Sequence, residues 1–484
     1  MLKVAMKARK RLVLAARLAF PLIIGTVLGV WQIKPPAADE TSYAFQRMMS
    51  NIERLAQRPR VVGTANLEYV SAQIIAEIED MGLVPVVQAV WYTRDEVIAA
   101  HRRLGLFGGV GRRFFALPDE ILVVNIFVQL KSPDTDRGIM FVTHLDSWPG
   151  SPGAGDAMVA ITAMLEAMRA HADNEALASS IYFLFTDGEE FGSIGALAFI
   201  EEHPDLKDRI DMIINLDAQG NSGGLILYET SQEAYAMLNV FRRAVPWPIG
   251  FSMGAAVYSQ INTSTDFTFF NKYGWSGVNL AIIEGLRHYH RPTDTYENLN
   301  RSTAWHYLTT VLGLADYAAN NSLEESLENS LQGHGRSSDA VFFMLLPGNM
   351  VLLSYLWANI LCAFACLLAF AYFVYEYKTR WLRASFSSIL TIFLFALSIS
   401  SVLFLHAGSY LFWLPLLVFT ITAFLKKWET VHRIAQTLSK VIVMLLWAPL
   451  LYAFFVLVPA VIILYVFILV LLTYTFVWKG YTHD

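Results

Sequence analysis

The sequence predicts an α/β domain joined to an all-α membrane region, and two observations support this division. Between about residues 40 and 320, short apolar runs alternate with amphipathic stretches of helical periodicity. This pattern is typical of an α/β domain whose sheet is largely parallel. The whole chain of 484 residues is 55% hydrophobic and 16% charged, which is too apolar for an ordinary soluble protein. Part of the chain is therefore expected to lie in lipid.

Within residues 40–320, five apolar runs are predicted to be buried strands and three amphipathic stretches to be helices. The predicted strands are ILVVNIFVQL, GIMFVTHL, SIYFLFTD, DMIINLDA and GVNLAII. The predicted helices are NLEYVSAQIIAEIEDMG, DAMVAITAMLEAMRAH and STAWHYLTTVLGLADYAA. Because functional groups in open α/β sheets gather beyond the carboxyl ends of the strands, residues that follow these runs are candidates for a site.

Apolar blocks near both ends of the chain predict membrane spans. Residues 12–31 form a span that follows several basic residues, so 1–33 is expected to be a cytoplasmic N-terminus with an anchor. A cleaved signal peptide is the alternative. Residues 321–345 are expected to be a linker. The block 346–479 is expected to contain about five transmembrane helices, near 350–375, 385–405, 410–425, 441–457 and 459–478. Only the segment VLVPA separates the last two, so whether residues 441–478 form one span or two stays open.

The distribution of positive charge predicts the orientation. The loops and tail expected in the cytoplasm contain Lys378, Arg380, Arg383, Lys426, Lys427, Arg433, Lys440 and Lys479. The opposite connectors, HAGS and VLVPA, contain no Lys or Arg, as the positive-inside rule predicts. The α/β domain is therefore expected on the non-cytoplasmic face, which is periplasmic or extracellular in a bacterium and lumenal in a eukaryote. A net charge of −5 without a basic, aromatic-rich patch argues against nucleic acid as a partner.

Acidic residues and histidines follow three of the predicted strands. His144 and Asp146 follow GIMFVT, and Asp217 follows DMIINL. Asp187, Glu189 and Glu190 follow SIYFLFT. Asp156 and His290 lie in nearby loops rich in Gly or Pro. Each residue alone has a structural explanation, such as a helix N-cap for Asp156. Together, two imidazoles and three carboxylates suit a pair of zinc ions that each keep a position open for water.

These motifs resemble those of the double-zinc aminopeptidases, the family of the secreted bacterial leucyl aminopeptidases and of aminopeptidase Y. The matching segments, in the family's order, are HLD, PGAGD, TDGEEFGSIGALAF, NLD and YHRPTDT. The resemblance implies a zinc-exopeptidase fold, with a central mixed, mostly parallel sheet flanked by helices. It also implies two zinc ions, one held by His144, Asp156 and Asp217 and the other by Asp156, Glu190 and His290. Asp156 would bridge them.

The resemblance assigns roles to residues around these ligands as well. Asp146 would orient His144 by accepting its second ring proton, and Glu189 would be the general base. Tyr289 is a candidate oxyanion donor, with simple packing beside the site as the alternative. Asp294 would support His290 or cap the next turn. Ala157 stands where the family usually has Asp or Asn, and this departure leaves the details of the pocket open.

The combination of an anchor, a zinc peptidase domain and a multi-span tail resembles the branch that contains endoplasmic-reticulum metallopeptidase and vacuolar membrane protease. The expected function is that of a membrane-anchored zinc exopeptidase, most simply an aminopeptidase, with peptide substrates and the lipid bilayer as its partners. Three alternatives are a catalytically inactive binding ectodomain, a glutaminyl-cyclase-like acyltransferase with a single zinc, and a transporter. The presence of Glu189 and of both ligand sets disfavours the first two, and the scarcity of ionisable residues in the spans disfavours the third. Side-chain specificity and oligomeric state stay open.

Overall fold

The protein is represented by a computed structural model, and its chain divides into two compact units, Met1–Leu352 and Leu353–Asp484. The residues that the structure describes are 33–106, 118–232, 234–252, 258, 264–331, 340–354, 356–357 and 360. The predicted anchor at 12–31 and the predicted spans beyond residue 360 lie outside them. Among the described residues, no helix combines the length and the apolar character needed to cross a bilayer.

A seven-stranded mixed sheet forms the centre of the first unit. Its strands are β1 Val86–Thr93, β2 Glu120–Leu130, β3 Gly138–His144, β4 Ser180–Thr186, β5 Ile210–Ala218, β6 Ile226–Thr230 and β7 Gly277–Ile282. Their order across the sheet is β1-β2-β4-β3-β5-β7-β6. The four strands β4, β3, β5 and β7 are parallel, whereas β1, β2 and β6 pair antiparallel at the two sides. The predicted mixed, mostly parallel sheet is thus confirmed, and all five predicted strands are present.

Nine helices of the described residues pack around this sheet. They are α1 Tyr43–Leu55, α2 Ala65–Asp80, α3 Arg94–Arg103, α4 Val159–His171, α5 Ile194–Glu202, α6 Tyr235–Ala244, α7 Asp266–Lys272, α8 Arg301–Asn320 and α9 Leu323–Leu331. Side-chain oxygens cap several of their amino ends: the Ser42 hydroxyl accepts the N–H of Phe45 at the start of α1, and Thr93 forms a capping box with Glu96 in α3. Such caps satisfy backbone N–H groups that the helix itself leaves unpaired.

The alternation of side chains along the strands divides the core between the two faces of the sheet. In β3, Ile139 and Phe141 pack in the larger apolar cluster with α4 and α8, whereas Met140 and Val142 pack in the cluster that contains residues of α5 and α7. Successive side chains of a strand point to opposite faces. His144, two residues after Val142, therefore shares a face with α5 and α7.

The last described segments differ from the prediction for 321–354. Residues 321–345 were expected to be a linker, but they include α9 and the strand β8, Ala340–Leu346. Residues 350–354, expected to begin a membrane span, lie in the strand β9, Asn349–Ser354, which pairs with β8. The reason is the Pro347–Gly348 turn, in which Gly348 adopts a φ of +68°. A Pro-Gly step inside an apolar run favours a hairpin between two short strands over a continuous helix.

Candidate metal centre

Acidic and imidazole side chains converge beyond the carboxyl ends of β3, β4 and β5, as the sequence predicts. Two groups of three residues each bring their ligand atoms within 4.8 Å of one another. One group is His144, Asp156 and Asp217, and the other is Asp156, Glu190 and His290. We call these five residues the ligand cage. The structure therefore brings together the same two sets that the resemblance implies, although they lie on five separate segments of the chain.

Asp156 lies between the two groups and directs one carboxylate oxygen to each. Its Oδ1 lies 3.0 Å from Nε2 of His144, and its Oδ2 lies 3.4 Å from Nε2 of His290. The remaining distances are 3.8 Å between His144 Nε2 and Asp217 Oδ1, and 3.0 Å between His290 Nε2 and Glu190 Oε2. Such an arrangement is typical of a carboxylate that bridges two cations.

The donor set and its spacing fit zinc. Four of the cage residues are buried and His290 is nearly so, with Nε2 of His290 enclosed and lacking a partner of hydrogen-bond geometry among the described residues. Two ligand atoms of a tetrahedral zinc with bonds of about 2.1 Å lie roughly 3.4 Å apart, which matches the separations within the cage. Buried carboxylates that face one another are costly unless a cation lies between them. The residues present therefore suit divalent metal ions.

The cage residues also perturb one another's protonation. Burial works against protonation of His144 and His290, but their contacts with the carboxylates outweigh it and raise both pKa values, that of His290 to about 9. Burial, and next the charge of Asp156, raise the pKa of Glu190 to about 7. Protons on the imidazoles thus offset the carboxylates in the metal-free cage. A bound metal has to displace these protons.

Glu189 is buried next to the ligand Glu190 and is not part of either triad. Burial is the main cause that raises the pKa of its carboxyl well above the ordinary value, and the charge of Asp217 adds to this. A carboxyl group with a raised pKa is suited to taking up and releasing a proton near neutral pH. The buried environment of Glu189 is thus compatible with the predicted general base, which stays a prediction.

Asp146 makes contacts that differ in part from the predicted ones. Nδ1 of His144 donates to the main-chain carbonyl of Asp146 over 3.0 Å, and the carboxylate lies farther away, at 3.5 Å. The carboxylate instead accepts the backbone N–H groups of Glu189 and Glu190, at 3.1 and 3.2 Å. Asp146 thus orients His144 mainly through its backbone. Its side chain ties the loop after β3 to the segment that carries the base.

Asp294 holds the backbone of the bridging residue rather than His290. Its carboxylate accepts the N–H of Gly155 at 2.9 Å and the N–H of Asp156 at 3.1 Å. Gly155 is required here, because a Cβ atom would lie 2.4 Å from the carbonyl oxygen of Gly220. The peptide bond between Asp156 and Ala157 is cis. Neither of the two roles expected for Asp294 describes these contacts.

Arg60, which the sequence did not single out, is a fully buried cation behind the cage. Its guanidinium donates to the carbonyl of Leu145 over 2.8 Å and to those of Pro152 and Gly153. Burial lowers its pKa to about 10, and nearby carboxylates, Asp146 first, oppose that shift. The side chain therefore stays charged at neutral pH and fastens the loop that leads from His144 to Asp156.

His290 is held by aromatic rings. The Trp148 ring stacks on its imidazole with centroids 4.4 Å apart and planes 2° apart, and the centroid of the Tyr289 ring lies 3.7 Å from that of the imidazole. His290 itself adopts a left-handed φ of +55°. Burial, and then the charge of Asp156, raise the pKa of Tyr289 well above its ordinary value, so its hydroxyl keeps its proton. A protonated phenol beside the cage can donate a hydrogen bond.

Comparison with known sequences matches a family model to the part of the chain that holds the cage. Residues 125–315 match Peptidase family M28. The resemblance identified from the motifs is therefore confirmed: this part of the chain carries the sequence pattern of that family.

The similar curated proteins are much longer than the region they share with this chain. A vacuolar membrane protease of Eremothecium gossypii is 32% identical over 257 residues, which are 51% of this chain and 24% of that protein. A putative endoplasmic reticulum metallopeptidase 1 of Schizosaccharomyces pombe is 31% identical over 245 residues, which are 49% of this chain and 28% of that protein. A vacuolar membrane protease of Candida dubliniensis is 29% identical over 205 residues, which are 42% of this chain and 22% of that protein. The match thus spans about a quarter of these relatives.

The solved structures that match part of this protein have low sequence identity to it. The aminopeptidase from Aneurinibacillus sp. strain AM-1 is 14% identical, and the match covers 57% of this chain and 94% of that chain with a TM-score of 0.43. A Zn-dependent exopeptidase from Parabacteroides distasonis is 15% identical, with coverages of 59% and 100% and a TM-score of 0.43. A glutaminyl cyclase from Porphyromonas gingivalis is 15% identical, with coverages of 58% and 99% and the same TM-score.

Proposed function

We propose that this chain is a membrane-anchored aminopeptidase that uses two zinc ions and has Glu189 as its general base. The observation that carries the proposal is the position of Asp156, which offers one oxygen to each of two ligand triads. The names of the similar proteins, which include membrane proteases and a metallopeptidase, support the membrane association and the peptide substrate. The charge distribution of the predicted spans supports a position of the domain on the non-cytoplasmic face.

The side chains of the cage and its neighbours divide the reaction between them. Bound zinc would polarise the peptide carbonyl and lower the pKa of water to about 7. Glu189 would take the proton of the attacking water and pass it to the leaving amine. The Asp146 carboxylate, through the N–H groups of Glu189 and Glu190, fixes the base next to the ligand. Tyr289 would donate a hydrogen bond from its hydroxyl to the oxyanion.

An excess of carboxylates around the cage supports the amino end of the peptide as the end that is bound. A free α-ammonium group is attracted by such a cluster, whereas a carboxypeptidase needs a cation that receives the substrate carboxylate. Arg60, a cation behind the cage, is fully enclosed, and its guanidinium already donates to three carbonyls, so it is not free to bind a substrate carboxylate. A carboxypeptidase would have to use an exposed cation instead, such as Arg287 or Arg291 in the loop that carries His290.

A panel of blocked peptides tests the proposal. Zinc-loaded full-length protein should hydrolyse peptides with a free amino end and a blocked carboxyl end, should spare N-acetylated peptides, and should lose activity in a zinc chelator. Hydrolysis that persists in chelator would exclude the metal mechanism. Cleavage only at free carboxyl ends would show that the protein is a carboxypeptidase and not an aminopeptidase. Ammonia release from peptides that begin with Gln, without hydrolysis, would favour the cyclase-like alternative.

The base assignment has its own test. Glu189→Gln should lower kcat by about 10²- to 10⁴-fold, because general base catalysis contributes that much, while zinc content stays at the wild-type value. The control is Glu297→Gln, which removes an exposed carboxylate and should leave both values unchanged. Wild-type activity in Glu189→Gln would refute the assignment.

A further inference from the structure

A row of hydrogen-bonded polar side chains crosses three strands next to the ligand cage. Asn215 of β5 is aligned with Asn279 of β7, which is aligned with Glu229 of β6. Asn215 Nδ2 donates to Asn279 Oδ1 over 2.8 Å, and Asn279 Nδ2 donates to Glu229 Oε2 over 2.9 Å. Because Asn215 precedes the ligand Asp217 by two residues, both lie on one face of the sheet. The row therefore leads from the cage to Glu229.

The Glu229 carboxylate has no positive partner among the described residues. It accepts a hydrogen bond from the amide of Asn279, and no Lys, Arg or His of the described residues lies within ion-pair distance of it. Burial raises the pKa of Glu229 to about 7, although the Asn279 hydrogen bond works against this. A glutamine would accept the same hydrogen bond without the cost of enclosing a charge. An acid rather than an amide at this position is consistent with a cation that reaches it from outside and holds it ionised.

Two tyrosines lie beside this carboxylate. Tyr228 and Tyr258 pack edge to face with ring centroids 4.7 Å apart, and both contact Ala281. Ala281 is the β7 residue aligned with Asp217. Both tyrosines are about nine-tenths buried, and neither hydroxyl has a partner of hydrogen-bond geometry among the described residues. Aromatic rings and phenol oxygens form a favourable lining for an aliphatic stem that ends in a cation.

The distance between Asp217 and Glu229 determines which group of a bound substrate can contact the Glu229 carboxylate. Two strand spacings across the sheet and two residues along it put their backbones about 12 Å apart. The α-ammonium of a bound peptide lies beside the metal ligands and is therefore too far from Glu229. A lysine or arginine side chain extends roughly 6 Å from its Cα atom, which suits the remaining gap once the Glu229 side chain is included.

We propose that Glu229 is a specificity residue that receives the ammonium or guanidinium group of a basic first residue in the substrate. The chain would then prefer peptides that begin with Lys or Arg. This inference rests on the aminopeptidase function proposed above and adds the substrate class to it.

The test compares peptides that begin with lysine or norleucine, which share the aliphatic chain and differ in the charged group. Zinc-loaded full-length protein should show a kcat/KM ratio for Lys over norleucine of about tenfold or more. Glu229→Gln, which keeps the Asn279 hydrogen bond, should reduce that ratio at least several-fold. Glu229→Lys should invert the charge preference and favour a peptide that begins with Glu over one that begins with Lys.

The matched control is Glu284→Gln, which removes an exposed carboxylate from the segment after β7 and should leave the ratio unchanged. A wild-type ratio near one would overturn the inference while leaving the aminopeptidase function intact. An equal loss on both peptides in Glu229→Gln would also overturn it, because Glu229 would then act on folding or on the α-ammonium. If no peptide with a free amino end is cleaved, the proposed function fails and the inference falls with it.

Discussion

Acidification should weaken the folded domain through one buried histidine, His306 of α8. Its Nδ1 accepts the backbone N–H of Leu225 over 3.0 Å, and its Nε2 lies 2.7 Å from the carbonyl oxygen of Trp247, to which it donates. The contact with Leu225 requires a neutral ring, because a proton on Nδ1 would face the N–H of Leu225. Burial lowers the pKa of His306 to about 4, and the bond to Trp247 opposes the shift only in part.

The size and direction of the effect follow from this pKa. The unfolded chain binds a proton at His306 when the pH falls through about 6.5, whereas the folded domain binds it only near pH 4. Between these values the unfolded state carries more protons, so the free energy of unfolding decreases as the pH falls. A difference of roughly 2.5 pKa units at 1.36 kcal/mol each corresponds to about 3 kcal/mol. This contribution is complete above pH 6.5 and lost by pH 4.

The assay compares wild type with His306→Gln by denaturant unfolding of metal-free protein from pH 8 to pH 4. The variant replaces the ring that bridges Leu225 and Trp247 with a flexible amide and should be about 1 to 3 kcal/mol less stable at pH 8. Other titrating groups are common to both proteins and cancel in the difference between the two curves. The stability advantage of the wild type should decrease by about 3 kcal/mol between pH 7 and pH 4, so that it vanishes or changes sign. Curves that stay parallel across this window would refute the account.

Three further changes test the supports of the cage. Asp294→Ala removes both acceptors for the backbone around Asp156 and should weaken zinc binding by roughly 10- to 100-fold, measured by competition with a chelator; wild-type affinity would contradict the role. Arg60→Met leaves three carbonyls without their donor and should lower the free energy of unfolding by at least about 3 kcal/mol, and a loss under 1 kcal/mol would show that the loop does not need the cation. Trp148→Ala removes the ring stacked on His290 and should speed zinc dissociation about tenfold, whereas an unchanged rate would mean that the stack is dispensable.

The ligands could be predicted from the sequence because they occupy positions that a parallel sheet makes recognisable. His144 and Asp217 lie at the ends of buried strands, and apolar runs followed by acids or imidazoles mark such ends. Within the seven-stranded sheet, the sequence did not reveal β1 and β6, which lie at its two edges. β1 alternates exposed and partly buried residues, and β6 is only five residues long. Neither forms the continuous apolar run typical of a central strand.

The supports of the cage could not be predicted, since they act on backbone atoms far away in the chain. Arg60 donates to carbonyls 85 to 93 positions later, and the Asp294 carboxylate accepts N–H groups 138 and 139 positions earlier. No local spacing encodes such contacts. Asp146 is a related case. Its carbonyl and its carboxylate are both within reach of His144, and only the three-dimensional arrangement decides which is nearer.

The balance of buried charge gives a reason to expect cations at the cage. Eight buried carboxylates lie in or next to it, those of Asp146, Asp156, Asp187, Glu189, Glu190, Asp217, Asp266 and Asp294, and Arg60 is a buried cation that faces several of them. If all eight were ionised, Arg60 and two divalent ions would still leave three negative charges uncompensated in a low-dielectric region, which is costly. Burial, as the first cause, raises the pKa of Asp187 well above its ordinary value and that of Asp266 to about 7, so protons on such groups offset part of the charge. The carboxylates that carry no proton are then stabilised by divalent ions at the two ligand triads, which is why removal of one ligand carboxylate should weaken metal binding more than removal of Asp187 or Asp266.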